Sequence, residues 1–285
     1  MIEDIVRILI YGAVISGMWA LVSSGFTLIF GVSRILNFAH GTFFVLAAYF
    51  AITFYKSGLN LYLSVILGVL LIGALAVAIY RFLLAPIREH EVMVIIVTLA
   101  LALLFEQIIL LTYGEHGVSL PSFVGGVVRI YDVPVTYKRI LAFVFSIAIL
   151  VILEIFINKT RTGKMISAAS QNYEGAMLIG INVERIFTVT MFVSAILAGF
   201  AGIFYAQIFS ANPFAAIKSL IFAFAIVILG GLGSVKGSIV ASFIVGYVLA
   251  TTIVFLGARW AEFVVMLLII AVLIFKPTGL FGVEE

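Results

Sequence analysis

The residues in this sequence most suited to chemistry lie in "RILNFAHGTFFVLAAYF", Arg34 to Phe50, where an asparagine and a histidine interrupt an apolar run. Asn37 and His40 sit between Gly31 and Gly41, two positions that can break a helix. A second glycine-interrupted junction, "LGGLGSVKGS", contributes Gly230, Gly231, Gly233, Ser234 and Gly237 near the other end of the chain. Paired interruptions of this kind expose backbone N–H and C=O groups at membrane depth, where they can meet a polar solute. Two readings stand side by side. Either Asn37 and His40 line a solute passage, or Asn37 caps a helix and His40 bonds a neighbouring carbonyl.

Glu106 and Gln107 are the other polar pair inside an apolar segment, within two turns of its end. A charge at that depth must face protein or water, as a pathway or proton-linked group or as a polar clamp on another helix. Glu154 lies so near a helix end that snorkelling accounts for it. No metal site is expected, because His40, His90 and His116 fall in three separate junctions and the chain has no cysteine.

The elements that must carry these residues are membrane spans. Of the 285 residues, 65% are hydrophobic and 10% charged, against roughly 25% charged in a soluble domain. A helix of about 20 apolar residues crosses a bilayer. Such runs cover Ile5–Val32, Ile35–Tyr55, Leu61–Leu84, Val92–Thr112, Ile140–Ile157, Ile186–Phe209, Ser219–Leu232, Ser238–Leu256 and Trp260–Phe275. The expectation is an all-α, polytopic membrane bundle of eight or nine spans with glycine-interrupted or re-entrant segments, forming one domain over 1–285. Pro86, Pro121, Pro134, Pro213 and Pro277 all fall between the spans, where a missing N–H breaks no helical bond. The opening "MIEDIVRILIYGAV" has Glu3 and Asp4 where a cleavable signal is basic, and reads as a retained first span.

The net charge of +3 comes from cations scattered singly through the loops, which excludes a nucleic-acid stripe. Placing 158–185 in the cytoplasm collects nine Lys and Arg residues on that side and seven on the other. The cluster Lys159, Arg161 and Lys164 favours this orientation, with the C-terminus inside and the N-terminus outside. In the external loop 113–139, "VVRIYDVPVTYKR" alternates as a hairpin does. Inside, "GKMISAASQNYEGAMLIG" reads as one amphipathic helix with Met165, Ala169, Tyr173 and Ala176 or Met177 on a face, stopped by Gly180. That face needs a partner. Ser194, Ala198, Gly202 and Ala206, and likewise Ser238, Ser242, Gly246 and Ala250, recur every fourth residue and predict close helix packing.

Three segments together resemble the LivH-type permeases, membrane subunits of ATP-binding-cassette importers for branched-chain amino acids. They are "SSGFTLIFGVSRILNFAHGTFFVLAAY", "AASQNYEGAMLIGINVERI" and "AIVILGGLGSVKGSIVASFIVGYVLA". The resemblance implies a plasma (cell inner) membrane location, a second homologous (LivM-type) permease subunit, two ATPase subunits and an external substrate-binding protein. It also implies an ATPase-coupling helix marked E-A-A-x-x-x-G. Glu174, Ala176 and Gly180 keep that spacing, with Gly175 replacing the first alanine and Tyr173 preceding it. The chain has no phosphate loop, so ATP and magnesium would be bound by the partners and this chain would hold no cofactor and catalyse no reaction. The implied passage is lined by Asn37, Phe38, His40, Gly41 and Phe44 with the second glycine junction, meeting the zwitterionic and aliphatic ends of the solute. A urea or short-chain amide importer and an ion-coupled carrier using Glu106 or His40 are the rival readings.

Overall fold

The structure, a computed structural model, describes residues 2–34, 36–276 and 278–282. Ile35, the predicted start of the second span, and Pro277, assigned to the last break, lie outside the described residues. The predicted spans appear as α1 (Ile2–Ser33), α2 (His40–Lys56), α3 (Leu61–Ile79), α4 (Glu91–Tyr113), α5 (Tyr137–Lys159), α8 (Val183–Ile208), α9 (Ala215–Gly230), α10 (Val235–Phe255) and α11 (Ala258–Phe275). Seven of the described helices are long and apolar enough to cross a membrane, α3 being counted through Ile87. The shorter α2 and α9, of 17 and 16 residues, pack within the same bundle.

Two ends can be told apart. At one, Arg34 donates to the Ser170 carbonyl, Arg88 pairs with Glu184, Lys236 pairs with Glu154, and Gly31 lies against Gly233. At the other, Val118 and Ala211 form a β-bridge, Lys138 donates to the Gln207 carbonyl, and Arg139 lies over Tyr11. The cations named here separate between the ends as the loop assignment predicts. Nine helices of 16 residues or more thus make up the bundle among the described residues.

The predicted hairpin is present as β1 (Val127–Ile130) and β2 (Val133–Thr136), antiparallel with Ile130 opposite Val133. Tyr131 and Asp132 make its turn with φ of 47° and 63°, the left-handed pair of a type I′ turn.

Two expectations are corrected. The second span, expected to start at Ile35, has no helix over residues 36–39; α2 starts at His40. The Asn37 side chain accepts the Ala39 N–H at 3.0 Å, a local bond that competes with helix formation. The amphipathic segment is not one helix but two, α6 (Arg161–Gln171) and α7 (Tyr173–Leu178). The break is Asn172, in extended conformation, whose Oδ1 accepts the Gly175 N–H at 2.7 Å and caps α7. Gly175 is thus in the first turn of α7, not mid-helix. A β-carbon there would press on the Asn172 side chain.

The predicted small-residue faces hold the bundle together around α1. Thr27 bonds Ser238 at 2.5 Å and Ser23 bonds Ser242 at 2.8 Å, while Gly246 packs on Ser16. On α8, the Ser194 hydroxyl donates to the Gly25 carbonyl at 2.7 Å, and Gly202 lies so close to Phe44 that a β-carbon would overlap its carbonyl oxygen. Hydroxyls and glycines do this work because, in lipid, backbone approach and interhelical hydrogen bonds drive association. Residues 278–282 fold back on α9, with Leu280 and Phe281 donating to the Leu229 and Gly230 carbonyls.

Candidate functional site

Two cavities face opposite ends of the bundle. The first, about 290 Å³, opens toward the α6–α7 end and is bounded by α1, α4, α7, α8 and the last turns of the α3 span. The second, about 170 Å³, lies toward the hairpin end, walled by Trp19, Phe44, Tyr205 and Phe222, with the ion pair Lys218–Glu262 at its edge. The material between them is identified by the chain itself. On α1, Ile29 borders the first cavity and Trp19 the second; before and within α2, Asn37 and Phe44 do so; on α8, Met191 and Tyr205. The residues between those limits converge on His40.

His40 is wholly buried, its Nε2 3.0 Å from the Val22 carbonyl and its Nδ1 3.3 Å from Ser194 Oγ. Phe26 and Phe43 meet its ring edge-on, at 5.6 and 6.3 Å between centroids. This is the neighbouring-carbonyl arrangement, and it forms a plug separating the cavities. Asn37 also makes its local bond, yet the residue borders the first cavity, and its amide nitrogen donates to Met191 Sδ at 3.7 Å. Phe38 donates its N–H to Thr98 Oγ1 at 3.2 Å. Gly41 lies against α9, where a β-carbon would overlap the Ala216 carbonyl, and Ser219 donates to the Gly41 carbonyl at 3.1 Å.

The second glycine junction is not in this group. Gly230 and Gly237 press backbone on backbone, Gly231 and Gly233 turn the chain at φ of 102° and 85°, and Ser234 caps α10 by accepting the Gly237 N–H. These five residues border neither cavity; they form the α9–α10 turn beside Gly31. Glu106 and Gln107 also border neither; on α4 Gln107 is exposed and Glu106 half-buried.

The first cavity contains residues that the motifs did not single out. Pro86 cannot donate to the carbonyl one helical turn back, and the α3 span widens before it into a π-helical turn, Tyr80–Leu84, followed by a 3₁₀ turn, Ala85–Ile87. Tyr80 and Leu84 both turn into the cavity. Arg88, just beyond, pairs with Glu184 at 2.6 Å and lies 5.7 Å from the centre of the Phe187 ring. Burial alone would lower the Arg88 pKa, but Tyr80, Tyr173 and Glu184 around it outweigh that and move it up. Tyr80 stacks on the same Phe187 ring at 5.7 Å, and Tyr173 of α7 tilts against it at 6.2 Å. Thr190, one turn further along α8, is 1% exposed, and its hydroxyl has no hydrogen-bond partner among the described residues. The sequence signal for this group is "YRFLLAPIREH", a tyrosine and two arginines around a proline.

Of the predicted coupling residues, Tyr173 reaches the first cavity and Ala176 is buried. Glu174 faces outward, and the end of α7 leaves Leu178 88% and Ile179 76% exposed. Gly180, at φ of 83°, turns the chain away from α7.

The family described as "Branched-chain amino acid transport system / permease component" matches residues 8–273. The chain is 26% identical to the high-affinity branched-chain amino acid transport system permease protein LivH of Escherichia coli strain K12, over 96% of this chain and 94% of that protein. It is 26% identical to BraD of Pseudomonas aeruginosa, a permease protein of the same description, over 97% of this chain and 95% of the relative. A probable LivH of Methanocaldococcus jannaschii is 27% identical over 98% and 93%. No solved structure matches the chain significantly. With one family matched from α1 into α11 on a multi-pass helical bundle, the chain belongs to the permease components of branched-chain amino acid transport systems.

Proposed function

We propose that this chain is the permease subunit of an ATP-binding-cassette importer that carries leucine, isoleucine and valine across the cell inner membrane. The family match over 8–273 carries this reading. Transport takes energy from two ATPase subunits that bind ATP and magnesium; this chain holds no cofactor. A second homologous permease subunit and an external binding protein complete the importer.

The coupling surface in this reading is α7. Leu178 and Ile179 project from a polar end of the bundle, where an apolar group is best covered by a protein groove. Movement of α7 reaches the first cavity through Tyr173 and Phe187, which share a ring contact. The solute passes where α1, α2 and α8 meet. The His40 plug closes that route in the conformation described, so alternating access requires these helices to shift against one another.

Reconstitution with the ATPases and binding protein in liposomes tests the proposal. ATP-dependent leucine uptake is the expected result. Urea uptake in place of leucine, or leucine uptake by this chain alone under an imposed proton gradient, overturns it.

A further inference from the structure

The first cavity lies within this one chain. At about 290 Å³ it is near the lower end of the roughly 300–1,000 Å³ typical of small-molecule sites. Its wall has an aliphatic part, Ile29, Val32, Leu84 and Val94, drawn from three parts of the fold. Into this wall are set the polar groups already described. Thr190 borders the cavity, and its buried hydroxyl has no partner among the described residues. Asn37 faces the same space with a thioether, a weak acceptor, as its contact. A π-helical turn, a feature frequent at functional sites, brings Tyr80 to the wall. Arg34, Arg88 and Glu89 border the cavity and supply both signs of charge.

We infer that this cavity is a binding site, contained in a single permease subunit at its α6–α7 end, for a zwitterionic aliphatic amino acid. The inference rests on the proposed transport function for the class of solute present. The carboxylate faces Arg34 and Arg88, and its remaining acceptor sites take the Thr190 hydroxyl and Asn37 amide protons. Glu89 meets the ammonium group, and the branched tail lies along Val32, Leu84 and Val94. Because Tyr173 of α7 closes one side, the bound solute touches the proposed coupling helix directly.

The test is equilibrium binding of tritiated leucine to the purified full chain in nanodiscs. Saturable binding of one leucine per chain is expected. Leucinamide, which lacks the carboxylate, should compete at least about tenfold less well than leucine, as loss of a charge-assisted bond predicts. Thr190→Val keeps the side-chain shape and should weaken binding about tenfold. Val94→Phe should abolish binding by filling the cavity, and Gly125→Ala, in open space, should leave it unchanged. Absence of saturable binding to a chain of normal melting temperature overturns the inference. So does equal competition by leucinamide, or binding that Thr190→Val and Val94→Phe both leave intact. An importer that carries leucine while the chain alone binds none removes this site and leaves the transport function standing; an importer that carries no leucine removes the transport function itself.

Discussion

His40 Nε2 lies 3.0 Å from the carbonyl oxygen of Val22, in a part of the bundle closed to solvent on every side. A carbonyl can only accept, so Nε2 carries the proton and Nδ1 is the acceptor of a neutral ring. Ser194 has one proton and two acceptors in reach, Gly25 O at 2.7 Å and His40 Nδ1 at 3.3 Å, and the shorter contact takes it. The ring thus ties α2 to α1, and Ser194 ties α8 to α1 beside it, at the level where the two cavities approach each other.

Replacing His40 with leucine removes its bond to Val22 and leaves that carbonyl unpaired in a packed site, and should destabilise the chain by about 1–3 kcal/mol. His40→Gln keeps a donor and should recover part of the loss. Thermal melting in detergent micelles reads both. A leucine variant that melts normally yet fails to transport would show that the ring serves the passage and not the packing.

Gly202→Val should prevent α8 from seating on α2, because a β-carbon alone already overlaps the Phe44 carbonyl. Overpacking of this kind costs about 1–3 kcal/mol, and more where backbone must move. Monodispersity on size exclusion should fall. Gly125→Ala, with no atom near its β-carbon, should change stability by less than about 0.5 kcal/mol.

Asn172→Ala removes the α7 cap, and about 1 kcal/mol of helix stability with it. Gly180→Pro forces φ to about −65° at a residue that sits at 83°. In the reconstituted importer, Gly180→Pro combined with Glu174→Ala should leave ATP hydrolysis running while leucine uptake falls. Uptake that keeps pace with hydrolysis in this variant removes the coupling role of α7.

The hairpin turn is open to improvement. Tyr131 and Asp132 adopt left-handed backbone, which is costly by roughly 1–2 kcal/mol for an ordinary residue. Tyr131→Asn with Asp132→Gly supplies the preferred type I′ pair and should slow amide exchange across Val127–Thr136. Faster exchange would mean that the exposed Tyr131 ring contributes more than its backbone costs.

The long spans were legible because twenty apolar residues have few alternatives to crossing a bilayer. So were the Ser238–Ser242–Gly246 and Ser194–Gly202 faces, whose four-residue spacing announces close packing. Their partners on α1 were not legible, since Thr27 finds Ser238 across 211 residues of chain and no local pattern records that pairing. The α6–α7 break was hidden by an apolar periodicity that continues through Asn172. Asn37 was legible as a polar group in the wrong place, but the cavity it borders was not. Tyr80 and Thr190 come from different helices, and Pro86 was readable as a boundary without its effect on the preceding turns.

The central position of α1 has a consequence for biosynthesis. It is made before α8 and α10, so Ser16, Ser23 and Thr27 leave the ribosome long before the chain that will satisfy them. Ser16 bonds the Gly12 carbonyl of its own helix at 2.6 Å and Ser23 reaches that of Ala20 at 3.4 Å, giving both hydroxyls an interim acceptor in lipid. The first helix can therefore wait in the bilayer as a stable seed, and its final neighbours complete it only once α8 and α10 have followed it out.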